Sequence, residues 1–204
     1  MSAEPDSAAL DERLVQVTLT LLAEEGLEAL SLRRIARRAG VSHGAPQRHF
    51  RGLADLLSVV AARGFALLSE AIEKSGAQLP PGTGPMARLQ AAGRAYVETA
   101  IAHPDLFALM FRPGELDLTH PEYTRESSAA FEQVVRHVRA AQDDGWQTDR
   151  DTRLLAGCVW SGVHGLATLW AQGAFVGPVP GVSLEDALST TLELVLGTAQ
   201  GDDQ

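Results

Sequence analysis

The stretch from residue 31 to residue 50, SLRRIARRAGVSHGAPQRHF, constrains the fold more than any other part of the chain. Ser31 is a good N-cap for a helix that begins at residue 32, because its hydroxyl can accept a backbone N–H that the first turn leaves unpaired. Gly40 stands where that helix is expected to end in a left-handed conformation. Ser42 offers a second N-cap, for a helix that ends near residue 50. Two short helices joined by a tight turn are therefore predicted, which is a helix-turn-helix.

The polar side of this stretch is basic. Residues 31–52 contain six arginines and no Asp or Glu, in a chain with 17 basic residues, 26 acidic residues and a net charge of −9. The six are Arg33, Arg34, Arg37, Arg38, Arg48 and Arg51. A charge run is often only a solvated face, but a basic face on a helix pair in an otherwise acidic protein favours phosphate binding. The acidic remainder would repel DNA and leave only this end to dock.

Length and composition indicate a soluble globular protein. The 204 residues, 45% of them hydrophobic, can form a buried core in one large or two small domains. The sequence contains no run of eighteen apolar residues, and its N-terminus lacks the charged and apolar regions of a signal peptide. The single cysteine, Cys158, excludes an internal disulfide framework and suits a reducing compartment. We therefore expect a cytoplasmic protein.

Helical periodicity runs through almost the whole sequence, so an all-α fold is predicted. The Pro- and Gly-rich segment SGAQLPPGTGP, residues 75–85, is the clearest break. We predict an N-terminal helix-turn-helix domain of three helices over residues 1–52. A linking helix is expected to begin there and run over residues 53–74, and a C-terminal helical bundle follows over residues 75–204.

Residues 10–60 resemble the DNA-binding domain of the tetracycline repressor-like (TetR-like) family of bacterial transcriptional regulators. The matching segments are LLAEEG at 21–26, LSLRRIARRAGVS at 30–42, HF at 49–50 and LADLL at 53–57. Gln47 replaces the family's usual Tyr and Leu53 its usual Lys, both of which typically touch the DNA backbone. Gln47 can still donate to a phosphate, whereas Leu53 cannot. Pro46 fits a helix only near its first turn, which predicts a short recognition helix that begins late.

The C-terminal half carries a second resemblance. WSGVHG at 160–165 is similar to the W-x-x-x-H-G pattern of one C-terminal domain class in the same family, and HPDLFALMF at 103–111 resembles that class too. The resemblance implies a small-molecule effector whose binding lowers DNA affinity, with repression in its absence. Core packing is the alternative role for each of these residues. The residues expected to line an effector pocket are Phe107, Phe111, Tyr123, Trp160 and His164.

The second helix of the motif is expected to enter the major groove. The expected phosphate contacts are Ser31, Arg33, Arg34, Ser42, Gln47 and His49. The expected base contacts are His43, Ala45 and Arg48, because Arg can pair bidentately with guanine and Ala can meet a thymine methyl.

A helix-turn-helix monomer covers too little DNA for specificity, so a homodimer on a palindromic operator is expected. The last two predicted helices are expected to form the dimer interface, because the final one has an apolar stripe wider than burial against one partner needs. The interface residues expected on that helix are Leu184, Leu188, Leu192 and Val195.

The sequence contains few patterns that are typical of an enzyme. The six histidines form no H-x-x-x-H pair, and the sequence has no G-x-S-x-G, P-loop or G-x-G-x-x-G motif. No metal, no cofactor, no membrane partner and no catalytic activity are therefore expected. The alternative function is a constitutive DNA-binding or protein-interaction module without a ligand. A void among the C-terminal helices would favour a sensor, and a filled core would favour the module.

Overall fold

The computed structural model describes the backbone of residues 4–197 and the side chains of residues 8–197. Over this range the chain forms nine α-helices, one short 3-10 helix and no strand, which confirms the all-α prediction. The 3-10 helix is Leu27–Ala29. The α-helices are α1 (Glu4–Glu25), α2 (Leu32–Ala39), α3 (Pro46–His49), α4 (Leu53–Ala77), α5 (Pro85–Ala102), α6 (Pro104–Met110), α7 (Pro121–Asp143), α8 (Thr152–Ala171) and α9 (Leu184–Leu196).

The chain divides into two compact units that are each discontinuous in sequence. Unit 1 comprises residues 1–66 and 103–128, and unit 2 comprises residues 67–102 and 129–204. Two of the divisions fall inside α4 and α7. The boundaries predicted at residues 52 and 75 separate functional domains rather than compact units, and they remain predictions.

Unit 1 is built around α1, which packs on α2, α3 and α6. Leu14, Leu21 and Leu22 of α1 are at most 2% exposed. In α2, Ile35, Ala36 and Ala39 are buried on the stripe that lies at helical spacing in the sequence. The small size of the two alanines lets neighbouring helices approach closely, which fixes the helix-turn-helix on the core of this unit.

Unit 2 packs α5, α8 and α9 against one another. Two glycines permit this close approach. A Cβ built on Gly93 of α5 would lie 2.7 Å from Leu192 Cδ2, and one built on Gly162 of α8 would lie 2.5 Å from Val195 Cγ2. The side chains of α9 therefore fill space that any larger residue on α5 or α8 would occupy.

Helix α8 is apolar but largely uncovered. Among the described helices it alone has the length and composition of a membrane span. Its most apolar segment has a mean hydropathy of 1.3, and 28% of that segment is buried. Its buried side packs on α5 and α9. The other side carries Leu154 and Leu169, which are 62% and 46% exposed. This helix therefore presents an apolar face that the described residues leave exposed.

Candidate nucleic-acid interface

Both ends of α2 have the predicted local chemistry. The Ser31 hydroxyl oxygen accepts the backbone N–H of Arg34 at 3.3 Å, which caps the first turn. Gly40 has a φ of +68°, in the left-handed region, and the N–H of Val41 donates to the Ala36 carbonyl at 3.0 Å. This is the glycine-terminated C-cap expected from the sequence.

Helix α3 is short and begins late, as Pro46 predicted. It spans only Pro46–His49, and Pro46 itself is buried. The prediction that Ser42 caps this helix is wrong: the N-cap position is Ala45, whose backbone N–H donates to the Ser42 carbonyl at 3.0 Å. Proline restricts φ and lacks an N–H, so the helix starts at Pro46 and the three residues before it form a turn.

Three of the six arginines face carboxylates that lie outside residues 31–52. Arg34 pairs with Glu25, and Arg38 pairs through both carboxylate oxygens with Glu24, at 2.9 and 3.1 Å. Arg51 pairs with two carboxylates, as described below. The sequence of residues 31–52 therefore suggests a higher positive charge than this surface carries in the folded protein.

The other three arginines form what we call the open basic face: Arg33, Arg37 and Arg48. All three are exposed, and none has a carboxylate within 4.0 Å in the part of the chain that the structure describes. Arg37 is an addition, because the sequence interpretation did not assign it a DNA contact. Ser42, His43 and Gln47 are also exposed, whereas Ala45 is half-buried.

Two positions at which a DNA contact is expected, or is customary in the resembling family, are less exposed for such a contact. The side chain of His49 is only 14% exposed, and its Nδ1 lies 2.5 Å from Asp11 Oδ1 of α1. That contact is not a well-directed hydrogen bond, since Asp11 Oδ1 has no hydrogen-bond partner within the described structure. Leu53, at the start of α4, is half-buried.

The five expected effector-pocket residues occupy two different units. Phe107, Phe111 and Tyr123 belong to unit 1. Phe111 and Tyr123 each contact Phe65 edge to face, with ring centroids 5.4 and 5.7 Å apart, and Phe107 contacts Phe111 in the same way at 5.2 Å. The Tyr123 hydroxyl donates to the Met110 carbonyl at 3.2 Å. These rings form a packed aromatic core in unit 1, which is the alternative role considered above.

Trp160 and His164 belong to unit 2, where both meet a residue that the sequence interpretation missed. Trp160 Nε1 donates to the Tyr96 hydroxyl at 3.0 Å, and that hydroxyl lies 2.8 Å from His164 Nδ1. Burial lowers the pKa of His164 and raises that of Tyr96, so both are neutral near pH 7. Tyr96 and Trp160 are 64 residues apart, and no local pattern in the sequence could have paired them.

A cavity of about 20 Å³ adjoins this cluster in unit 2. It has space for about one water molecule. Tyr96, Trp160 and His137 are among the residues that line it, and the wall is almost entirely apolar. Burial, together with the positive charges of Arg136 and Arg88, lowers the pKa of His137.

Two of the four residues predicted for the dimer interface on α9 are already buried within unit 2, and the interface stays a prediction. Leu188 and Leu192 are 1% and 5% exposed, because they pack inside unit 2, and Leu184 and Val195 are half-buried. The large exposed residue of α9 is Leu194, at 80%. A partner could therefore reach a different side of the helix from the one expected.

No group of three or more His, Cys, Asp or Glu side chains placed to hold a metal ion occurs among the described residues.

Two family models match the chain. The model described as "Bacterial regulatory proteins, tetR family" matches residues 14–60. The model described as "Tetracyclin repressor-like, C-terminal domain" matches residues 89–194, just over half of the chain. The HTH-type transcriptional repressor KstR of Rhodococcus jostii (strain RHA1) is 37% identical over 79 residues, which are 39% of this chain and 35% of that protein. The chain thus matches about a third of the length of this relative.

Solved structures share the architecture. A protein of unknown function from Rhodococcus sp. RHA1 has a TM-score of 0.77 and 31% identity, over 92% of this chain and 93% of that one. The fatty acid degradation regulator FadR from Bacillus halodurans has a TM-score of 0.71 and 16% identity, over 93% and 96% of the two chains. The second likeness shows the fold alone. The matched models agree with the helix-turn-helix geometry, and the chain belongs to the TetR family of bacterial transcriptional regulators.

Proposed function

We propose that this protein represses transcription by binding a palindromic operator as a homodimer in the cytoplasm, and that a small-molecule effector releases it. The observation that carries the proposal is the open basic face on the helix-turn-helix. Its three arginines are exposed, with no carboxylate partner in the described structure, in a protein of net charge −9. Such a surface binds phosphates, and the acidic remainder disfavours other orientations on DNA.

Within the motif, we propose that α3 and the turn before it enter the major groove. His43, Ala45 and Arg48 are the proposed base contacts. Ser31, Arg33, Arg37, Ser42 and Gln47 are the proposed phosphate contacts. Arg34 and His49 remain in the set, but each already faces a carboxylate, and we expect them to contribute less.

Two arginine substitutions test this division. Arg48→Ala should cost about 1–3 kcal/mol and relax the preference at one base position, if Arg48 reads a guanine. Arg33→Ala should instead weaken binding to all sequences alike and flatten the dependence of affinity on salt. Fluorescence anisotropy measures both effects. It uses an operator duplex from the DNA that flanks the protein's own gene, and a duplex with the same bases in scrambled order.

Arg38→Ala provides the matched control. Arg38 lies on the same helix as Arg33 but is paired with Glu24, so its removal should change the salt dependence less. Equal, sequence-independent losses for Arg33→Ala and Arg48→Ala would contradict the assigned roles. Binding that does not respond to salt would contradict the phosphate-binding surface itself.

We propose that the homodimer forms through the exposed apolar side of α8 and α9. Leu154, Cys158 and Leu169 lie on one face of α8 at spacings of four and eleven residues. Leu194 of α9 is 80% exposed. Apolar side chains at this exposure on two neighbouring helices are typical of an association surface. Leu184, Leu188, Leu192 and Val195 are then supporting residues behind the interface.

The proposed effector site is the cavity beside Tyr96 and Trp160. Its volume of about 20 Å³ is far below the roughly 300–1,000 Å³ of typical ligand pockets. An effector would therefore have to expand the site, and that structural change is the proposed means of release from DNA. The apolar wall favours an apolar ligand. Because one fold relative is described as a fatty acid degradation regulator, acyl compounds are the first class to test.

The small cavity also favours a second candidate function, constitutive DNA binding without a ligand. A ligand screen that follows both thermal unfolding and operator anisotropy separates the two. A compound that raises the unfolding temperature and releases the operator supports the sensor. Compounds that do neither, across apolar chemical classes, support the constitutive regulator.

A further inference from the structure

Arg51 occupies the junction between the recognition helix α3 and helix α4. It follows the buried Phe50, whose backbone N–H donates to the Pro46 carbonyl at 2.8 Å and closes α3. It precedes Leu53, where α4 begins, by two residues. Whatever holds Arg51 therefore also holds the C-terminal end of the recognition helix.

The Arg51 side chain turns toward carboxylates. Asp55, in the first turn of α4, accepts hydrogen bonds from the Arg51 backbone N–H at 3.0 Å, from Nε at 3.0 Å and from Nη2 at 2.6 Å. The same Nη2 also donates to Asp117 Oδ2 at 2.8 Å. Asp117 lies 66 residues away in the sequence, in the loop between α6 and α7.

That loop is itself fixed. Asp117 Oδ1 accepts the backbone N–H of Thr119 at 3.0 Å and its hydroxyl at 2.6 Å. The Asp117 backbone N–H donates to the hydroxyl of the fully buried Ser58 at 2.8 Å. The hydrogen bonds from Thr119, and then the charge of Arg51, lower the pKa of Asp117, so its carboxylate stays charged at neutral pH.

Two carboxylates around one guanidinium leave a net negative charge at this position. The Arg51 side chain is 72% exposed, but a DNA phosphate that contacts it would also come close to both carboxylates and would meet repulsion there. His120 Nε2 is also 3.9 Å from Asp55 Oδ1, so another neighbouring group points to the carboxylates. The surroundings of Arg51 therefore carry a net negative charge, whereas the open basic face carries a net positive charge.

We infer that Arg51 and Asp117 are positioning residues for DNA binding: their ion pair ties the end of the recognition helix to the 111–120 loop, and Arg51 does not contact DNA. This inference rests on the proposed DNA-binding function. The recognition helix has only four residues, so its orientation depends on what holds its ends more than on its own hydrogen bonds.

Asp117→Asn is the decisive variant. The amide keeps the shape of the side chain and an oxygen that can accept the bonds from Thr119, but it loses the charge that holds Arg51. Removing a negative charge near a DNA-binding surface should strengthen binding through general electrostatics. The positioning role makes the opposite prediction, a loss of about two- to fivefold in operator affinity, the range expected for an exposed ion pair.

Three further variants complete the test, with affinity measured by anisotropy over a range of salt concentrations. Arg51→Gln should lose at least as much affinity as Asp117→Asn, because it also removes the side-chain hydrogen bonds to Asp55, and it should leave the salt slope unchanged. The double variant should bind no more weakly than Arg51→Gln alone, because Arg51→Gln already removes the link to Asp117. Arg33→Gln is the control, and it should flatten the salt slope by about one unit per protomer. Circular dichroism checks that each variant retains its helices.

Several outcomes would overturn the inference. Asp117→Asn with unchanged or stronger binding removes the positioning role. Arg51→Gln that flattens the salt slope as Arg33→Gln does would make Arg51 a phosphate contact. The proposed function fails in a different way, through the absence of salt-dependent DNA binding by the wild-type protein and by the Arg33→Gln control.

Discussion

Leu192 and Leu194 lie two residues apart on α9 but differ in their surroundings, and this pair tests the revised dimer interface. Leu192 is 5% exposed and packs against Gly93 of α5, while Leu194 is 80% exposed. Leu192→Ala should therefore destabilise the protein by about 2–5 kcal/mol, through lost burial and the cavity that remains. Leu194→Ala should change the stability of the isolated protomer by at most about 0.5 kcal/mol.

The effect of Leu194 on association follows from its exposure. Leu→Ala removes three carbon groups, each worth about 0.8 kcal/mol when it is buried, so the loss is about 2 kcal/mol per protomer. A two-fold interface buries each residue twice, which brings the loss to about 4 kcal/mol per dimer. At about 1.4 kcal/mol for each factor of ten, the dimer should dissociate on the order of a thousandfold more readily.

Sedimentation over a range of protein concentrations measures dimerisation, and urea unfolding of the same samples measures stability. Cys158 is exposed on the same side of α8 as Leu154, so a bifunctional maleimide should cross-link the wild type and should cross-link Leu194→Ala poorly. A Leu194→Ala protein that sediments as the wild type would place the interface elsewhere. A Leu192→Ala protein with unchanged stability would refute the packing of α9 on α5.

Two further predictions concern pH and salt. Burial lowers the pKa of His164 in the folded protein, so stability should be full above about pH 6.5, where unfolded histidine is neutral, and should fall as the pH drops toward the folded value. Urea unfolding at pH 7.5 and 5.5 should show this loss, and His164→Gln should reduce it; a difference unaffected by the substitution would assign it to other groups. Raising salt from 50 to 200 mM should weaken operator binding roughly a hundredfold if Arg33 and Arg37 make four phosphate contacts per dimer. Anisotropy titrations would contradict that count if the loss were tenfold or less.

The local features of the fold could be predicted because their causes are local. The Ser31 cap, the left-handed Gly40 and the late start of α3 at Pro46 each depend on the backbone chemistry of one residue and its near neighbours. The capping role predicted for Ser42 did not follow from local chemistry in the same way. Serine at that position is compatible with a cap, and only the proline four residues later moves the helix start beyond its reach.

Long-range contacts could not be predicted. The segment 31–52 contains no acid, but Glu24 and Glu25 at the end of α1 reach Arg38 and Arg34 when α1 packs on α2. Likewise, the stripe of α9 looked wider than one packing partner needs, since sequence periodicity does not report how many helices surround it. Glycines on both α5 and α8 let α9 sink between them, which buries residues that the pattern assigned to a partner subunit.

The acids that pair with these arginines bear on specificity as well as on affinity. Non-specific DNA binding rests almost entirely on the number of phosphates that a protein neutralises, whereas base readout depends on a few directed contacts such as that proposed for Arg48. Because Arg34 and Arg38 are paired with Glu25 and Glu24, fewer cations are available for non-specific phosphate binding. The base readout is unchanged by these pairs. If those pairs persist on DNA, the salt dependence should correspond to the open basic face alone. If they break, as many as four more phosphates per dimer become available and the salt dependence steepens. The measured slope therefore reports whether the acids on α1 limit the protein's attraction to DNA that lacks the operator.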